Sequence, residues 1–208
     1  MQTIFYDIET EGLPKAELLK NAPEFKAAGN LKDPLKIAES IRQRQQDYLD
    51  EAALSATTGR VLCVGIVHDG SFSVIQNDNE ARLLADFWAF ATDDEGLARR
   101  MVGFNTHGFD LPFLIRRSWK LDVQIPSGIR RGRYFNDNQI DLRVEWQLGD
   151  KQAHGSLDVV SRHLGIGQKT GDGAEFAALW RTDRAKALAY LENDVRLVEK
   201  AARKMGVV

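Results

Sequence analysis

The first predicted strand carries two acidic residues inside an otherwise apolar run. Residues 3–10 read Thr-Ile-Phe-Tyr-Asp-Ile-Glu-Thr. Because successive side chains of a strand point to opposite faces, Asp7 and Glu9 share one face and the apolar residues beside them take the other. Burying two unpaired carboxylates costs several kcal/mol or shifts their protonation, so we expect a positive charge beside them. Oxygen ligands with no His or Cys nearby suit Mg²⁺ or Mn²⁺ better than zinc.

Length and composition indicate one globular domain spanning 1–208. The chain has 208 residues, of which 43% are hydrophobic, and that is enough for an ordinary core. No run approaches the roughly 18 apolar residues of a membrane span, and no signal-like segment precedes the first strand, so we expect a cytoplasmic protein without membrane contact. The net charge of -2 gives no general attraction to nucleic acid, which would need a local basic patch or bound metal.

The remaining pattern predicts an α/β fold. Further strands are predicted near 60–67, 72–76, 101–104 and 140–144, and helices after Asn79, from Asp110, over 156–164 and from about 182 to 205. An Asp-Gly pair at 69–70 predicts an antiparallel hairpin. Cys63 lies in an apolar run and is predicted to be a core residue. The alternation of strands and helices indicates a mixed five-stranded sheet flanked by helices.

The last helix brings a further acid toward this sheet. Its apolar stripe contains Leu191, Val195 and Val198, and Asp194 lies at the margin of that stripe. An acid there is costly unless a charged group meets it. The cation implied by Asp7 and Glu9 would satisfy all three carboxylates.

Three segments together resemble a known family. Asp7-Ile8-Glu9-Thr10, the segment Asn105 to Asp110, and Tyr190-Leu191-Glu192-Asn193-Asp194 are similar to the three motifs of the DEDD 3′–5′ exonucleases. The Tyr-x-x-x-Asp spacing resembles the tyrosine (DEDDy) branch, and the flanking pattern is most similar to the proofreading exonuclease domain of family B DNA polymerases. Each motif alone also fits an ordinary solvated edge, helix cap or surface acid, but their order and placement favour the family. The resemblance implies a ribonuclease H-like fold.

The resemblance also implies a metal-dependent mechanism. Asp7, Glu9 and Asp194 would hold one divalent cation, and Asp7 would bridge to a second that Asp110 supports. Two such cations, Mg²⁺ or Mn²⁺, stabilise the attacking and leaving oxygens of a phosphoryl displacement. Tyr190 takes the place of the residue that orients the attacking water. An unperturbed tyrosine pKa near ~10 makes it a poor base at neutral pH.

Substrate contacts are predicted from the family resemblance and from the composition of one basic run. By resemblance, Asn105 would contact the substrate strand and Phe109 would pack against terminal bases. The run at 130–134 contains Arg131 and Arg133 beside an aromatic residue, a composition that suits single-stranded nucleic acid and equally a solvated charge run.

The sequence leaves three functions open. The first is a 3′–5′ exonuclease on a DNA 3′ end, most simply a single-stranded one, and the second is the same reaction on RNA, because motifs do not reveal contacts to the 2′-hydroxyl. The third is a nucleic-acid-binding module without turnover, which the intact acidic set argues against. No polymerase or repair partner is identified.

A helical insertion follows the first strand at about 14–56. Asp33-Pro34 predicts the start of an amphipathic surface helix, whose apolar side we expect to be buried. The insertion either packs along the rim of the active-site cleft and restricts the substrate, or is a surface decoration.

Overall fold

The chain forms two compact units. The computed structural model describes residues 3–93, 95–129, 138–150, 152–153 and 155–208. One unit, here called the core unit, comprises 1–9 and 61–208, and the other, the inserted unit, comprises 10–60. The insertion predicted at about 14–56 falls inside the inserted unit.

The described strands form one mixed sheet. They are β1 (Thr3–Gly12), β2 (Gly59–His68), β3 (Ser71–Ile75), β4 (Arg100–Gly103) and β5 (Gln139–Asp141). Their order is β3-β2-β1-β4-β5. β2 and β3 are antiparallel, as the Asp-Gly turn predicted, whereas β4 is parallel to both β1 and β5. The predicted mixed five-stranded sheet is confirmed.

Helices account for most of the remaining described residues. They are α1 (Lys15–Lys20), α2 (Pro34–Asp50), α3 (Glu80–Phe90), α4 (Asp110–Lys120), α5 (Leu142–Gln147), α6 (Leu157–Leu164), α7 (Phe176–Thr182) and α8 (Arg184–Lys204), with short 3₁₀ turns at Ala52–Leu54 and Gly173–Glu175. In the described part of the chain, none of these helices has the length and apolar character needed to cross a bilayer.

The fifth strand is shorter than predicted. It ends at Asp141, and residues 142–144, predicted as strand, belong to α5. The reason is local: the Asp141 carboxylate accepts a hydrogen bond of 2.9 Å from the backbone N–H of Arg143 and caps the helix. At the start of α4, the cap residue is Phe109 and Asp110 is the first helical residue, so its carboxylate is available for another contact.

One hydrophobic cluster of the core lies between α8 and the sheet. The apolar residues of α8 pack on β1 and β2 in one cluster that includes Phe5, Cys63, Leu191 and Val195. Gly65 of β2 permits the close approach, because a Cβ there would lie 2.6 Å from Leu191 Cγ. The burial of Cys63 agrees with its predicted place in the core.

The inserted unit has its own polar contacts. The Thr10 hydroxyl donates to the Ala53 carbonyl at 2.8 Å, and Arg60 Nε donates to Glu11 Oε1 at 2.7 Å. α2 begins at the predicted Asp33-Pro34 signal, with Asp33 accepting from the Leu35 N–H at 2.9 Å. No residue of α2 is fully buried, and the apolar side is half-buried at Ile37, Ile41, Tyr48 and Leu49.

Candidate active site

Three carboxylates converge within the core unit. Asp7 and Glu9 of β1 and Asp194 of α8 each offer an oxygen, and these oxygens lie within 4.8 Å of one another. Asp194 is fully buried, Glu9 is 8% exposed and Asp7 is half-buried. Strand alternation explains the arrangement, since Phe5, on the same face of β1, packs in the cluster of α8.

Asp110 adjoins this group through the end of the β1–β4 ladder. β1 pairs with β4 only as far as Phe5 opposite Val102, so later backbone groups of β1 need other partners. The Ile8 N–H donates to Asp110 Oδ1 at 3.1 Å. Asp110 is only 3% exposed, and after burial itself the charge of Asp7 is the next cause that raises the pKa of Asp110. We call Asp7, Glu9, Asp110 and Asp194 the acidic cluster.

The pKa values of the acidic cluster are raised, because burial and neighbouring negative charges oppose ionisation. Burial, followed by the charge of Asp194, raises the pKa of Asp7 to about 7. Burial, followed by the charge of Asp7, raises the pKa of Glu9 to about 10. Burial likewise raises the pKa of Asp110 and of Asp194. An all-carboxylate donor set that resists ionisation without a counter-charge fits hard divalent cations such as Mg²⁺ or Mn²⁺.

Lys169 supplies one positive charge to this cluster. Its Nζ lies 2.6 Å from Asp194 Oδ2 and 5.3 Å from the centroid of the Tyr190 ring. Burial disfavours the charged lysine, yet its pKa is raised overall because Asp194 faces it. The loop is anchored nearby, where the Lys169 N–H donates to Asp158 Oδ1 at 2.8 Å and Asn193 Nδ2 donates to the Gln168 carbonyl at 3.1 Å.

Tyr190 lies one helical turn before Asp194 on α8. It is 5% exposed, and its ring packs against Phe176 at a centroid distance of 5.7 Å. The chain at Gly171 passes over the ring so closely that a Cβ there would lie 2.9 Å from Tyr190 Cδ2. Burial and then the charge of Asp194 raise the pKa of Tyr190, so its hydroxyl is neutral at physiological pH.

A pocket opens beside Asp7. Its volume is about 470 Å³. Its lining residues are Asp7, Phe104, Asn105, Arg143, Gly155, Ser156, Leu157 and Lys169. The pocket therefore combines an acid of the cluster, two basic side chains and an amide.

A buried carboxylate outside the acidic cluster fixes one wall of this pocket. Asp141 is 2% exposed, and it accepts from the backbone N–H groups of Asn105 at 2.7 Å, His107 at 2.9 Å and Arg143 at 2.9 Å. Asn105 has a φ of 62°, a left-handed conformation that asparagine tolerates better than most residues. Asp141 thus holds the turn that presents Asn105.

The family-model comparison identifies the family. Residues 52–197 match the model of a predicted 3′–5′ exonuclease family related to the exonuclease domain of PolB. The chain belongs to this exonuclease family. The matched segment contains Asp110, Tyr190 and Asp194, whereas Asp7 and Glu9 precede it. The expected enzyme class and the resemblance to family B proofreading domains are confirmed.

The structural comparison agrees with the family. The chain is similar to the structure of the family B DNA polymerase from the hyperthermophilic archaeon Pyrobaculum calidifontis, with a TM-score of 0.64 and 16% identity. The likeness covers 99% of this exonuclease chain and 24% of the polymerase chain. It confirms the predicted ribonuclease H-like fold. No curated protein sequence matches the chain.

Of the four residues predicted to contact the substrate of this exonuclease, the structure places one, Asn105, in the lining of the pocket. Asn105 lines the pocket, whereas Phe109 is not among its lining residues and packs on Phe113 at a ring distance of 5.5 Å. Arg131 and Arg133 lie outside the described residues.

Sequence reasoning assigned no role to three residues that the structure places at or beside the site. Lys169 and Arg143 line the pocket, and Asp141 fixes its wall. A lysine in a glycine-rich loop was the only signal for Lys169. Asp141 was visible only as an acid inside the fifth predicted strand and was set aside as a ligand, and Arg143 had no signal. The partners that give both residues their place lie 34 to 38 residues away in sequence.

Proposed function

We propose that this protein is a divalent-metal-dependent exonuclease that removes nucleotides from the 3′ end of single-stranded DNA. The observation that carries the proposal is the convergence of Asp7, Glu9 and Asp194 at the edge of a pocket. Family membership supports exonuclease activity and a nucleic acid substrate. The choice of DNA, of a single strand and of the metal mechanism is the proposal's own.

The acidic cluster supplies the metal ligands in this proposal. Asp7, Glu9 and Asp194 would hold one divalent cation, and Asp7 with Asp110 would hold a second. When bound, a pair of Mg²⁺ or Mn²⁺ ions stabilises the attacking and leaving oxygens of an in-line displacement at phosphorus. The chain itself contributes the four carboxyl ligands. Burial and mutual repulsion oppose their ionisation, so a bound cation would favour the charged carboxylates.

Tyr190 and Lys169 complete the catalytic wall. The Tyr190 hydroxyl orients the attacking water and does not act as the base, since its raised pKa keeps its proton in place. Lys169 compensates part of the charge of Asp194 and holds that carboxylate in position. Tyr190 lies within α8, and the Lys169 backbone N–H donates to Asp158, so both backbones are held in place. This favours a fixed geometry for the water.

The size of the pocket favours a single strand. A volume of about 470 Å³ accommodates one small ligand such as a nucleotide. A paired 3′ end would have to fray before its last nucleotide could enter. We therefore expect the exonuclease to degrade single-stranded DNA faster than duplex DNA.

Product ladders from labelled oligonucleotides test the proposal. We would incubate 5′-labelled DNA and RNA, single-stranded and duplex, with the protein in Mg²⁺, Mn²⁺ or chelator. We expect stepwise shortening of single-stranded DNA from the 3′ end in metal and none in chelator, and Asp194→Asn should remove it. Asp86→Asn, at an exposed position of α3, is the matched control. Degradation of RNA alone would reassign the substrate, and binding without shortening in any metal would overturn the proposed activity.

A further inference from the structure

We propose that Arg143 is a substrate-binding residue that holds a backbone phosphate of the nucleic acid strand in the pocket beside Asp7. The inference rests on the proposed function and deepens it, because it assigns a phosphate subsite to a side chain outside the acidic cluster. Arg143 follows β5 and lies in the first turn of α5.

Among the described residues, the Arg143 side chain makes one hydrogen bond and keeps one buried donor without an acceptor. Its Nη1 donates to Asn105 Oδ1 at 2.9 Å. Its Nε is buried, and no described residue accepts a hydrogen bond from it. Among the ion pairs of the described residues, none joins Arg143 to a carboxylate. Arg143 is half-buried as a residue, and burying the Nε donor without an acceptor is costly unless a ligand in the pocket supplies one.

Arg117 shows how the fold treats an arginine that serves structure alone. Its Nε and Nη2 donate to the two oxygens of Glu80 at 2.9 and 2.6 Å, and both residues are buried. No acid in the described part of the chain pairs with Arg143 in this way, and Arg143 lines the pocket that also contains Asp7. The difference leaves the Arg143 guanidinium, among the described residues, available to a ligand that enters the pocket.

The position of Arg143 is fixed from its backbone. Its N–H donates to Asp141, the same carboxylate that holds the turn at Asn105. The backbone N–H groups of Asn105 and Arg143 thus both donate to Asp141, and the two side chains are hydrogen-bonded to each other. This arrangement presents the guanidinium without the cost of ordering a long, free side chain on binding.

A phosphate group is the ligand that suits the Arg143 guanidinium. The planar guanidinium fork matches two phosphate oxygens at once. The other basic residue of the pocket, Lys169, is already paired with Asp194. Arg143 is therefore the described basic side chain of the pocket that remains available to the strand.

Binding measurements without turnover test the assignment. We would titrate a fluorescent single-stranded oligonucleotide with wild type, Arg143→Gln and Arg143→Lys in chelator, over a range of salt concentrations. Losing a charge-assisted contact should weaken binding by about ten- to a hundredfold. The slope of log affinity against log salt should become shallower by about 0.7, the value for one phosphate of a single strand. Arg143→Lys should recover part of the affinity, and Arg82→Gln, an exposed arginine of α3, should bind as wild type.

A series of oligonucleotides with one neutral methylphosphonate linkage locates the contact. We expect one position near the 3′ end to weaken wild-type binding about as much as Arg143→Gln does, and to have no further effect in that variant. A variant that loses affinity equally at every position, with an unchanged salt slope, would show that Arg143 only holds the loop. Equal affinity of wild type and Arg143→Gln would also overturn the inference.

Two readouts separate this inference from the proposed function. If wild type shortens DNA and Arg143→Gln retains wild-type affinity, only the phosphate subsite is wrong. If wild type shortens no nucleic acid, the proposed function fails whatever Arg143 binds. Thermal melting of each variant establishes whether it is folded. If Arg143→Gln does not fold, Arg143→Lys and the methylphosphonate series on wild type test the phosphate subsite instead.

Discussion

Two of the places where the core unit buries charge differ in how that charge is partnered. At the first, Glu80 of α3 accepts hydrogen bonds from Arg117 at 2.9 and 2.6 Å and from the Val61 N–H at 2.8 Å. Every oxygen of this pair has a partner within the chain. The pair joins α3, α4 and the start of β2, so its role is to hold the fold.

At the second place, the acidic cluster carries four carboxyl groups and one neighbouring cation, Lys169. Burial and repulsion raise the pKa values of Asp7 and Glu9 to about 7 and about 10. A fold gains nothing from such a group, whereas a metal-dependent nuclease needs it. The comparison therefore separates charge that stabilises the protein from charge that awaits a ligand.

The largest effect is expected from removing one acid of the cluster. Asp7→Asn should lower the exonuclease rate about a thousandfold, because loss of a charged ligand forfeits several kcal/mol of transition-state stabilisation. Wild type should melt at a higher temperature in Mn²⁺ than in chelator, and Asp7→Asn should lose that shift. Rates on labelled DNA and melting curves check both. A variant with the wild-type rate and shift would remove Asp7 from the metal site.

Glu80→Ala should act on stability instead. Leaving Arg117 buried without its acid should lower the free energy of unfolding by about 3–5 kcal/mol. Urea unfolding at neutral pH measures the loss, and Glu80→Ala combined with Arg117→Met should recover part of it because the unpaired charge is gone. The variant should keep its metal-dependent shift while folded. A loss under about 1 kcal/mol would contradict a structural role for the pair.

The pH dependence of stability should distinguish the two places in the metal-free protein. The Asp7 pKa of about 7 exceeds the ordinary value of 3.8, so the folded state retains a proton that the unfolded state releases. Stability is therefore greatest below the ordinary value and falls as pH rises toward 7, by up to about 1.4 kcal/mol per pH unit per proton.

Melting in chelator between pH 5 and 7 tests this sign. We expect the melting temperature of wild type to fall across that range, and to fall less in Asp7→Asn or in Mn²⁺. Glu80→Gln serves as the control, since it should leave the slope unchanged. A melting temperature that rises with pH in chelator would contradict the raised pKa values.

The sequence predicted those parts of the fold that local patterns encode. β1 and α8 follow from alternation and from a helical apolar stripe, and the structure has both at nearly the predicted bounds. The short helix α7 was not predicted, and α5 was taken for strand. The Asp141 carboxylate decides the latter, because it caps the helix that begins after it.

The site could be predicted where motif order carried the information and not where contacts are long-range. The structure brings Asp7, Glu9 and Asp194 together, although their positions span most of the chain. Lys169 reaches the pocket from a loop and Arg143 from the first turn of α5, and no sequence period predicts either placement. The helical pattern of α2 likewise predicted a helix, but it did not reveal that none of its residues is fully buried.

The smallest effect is expected at Tyr190, whose hydroxyl is the neutral member of the site. Tyr190→Phe keeps the ring that packs on Phe176 and beneath Gly171, so stability and the metal-dependent melting shift should stay as in wild type. Losing one neutral hydrogen bond to the attacking water should slow the single-turnover rate by about tenfold or less. Quenched-flow digestion of a labelled strand measures that rate. Wild-type kinetics in Tyr190→Phe would show that the buried acids and Lys169 orient the water without the hydroxyl.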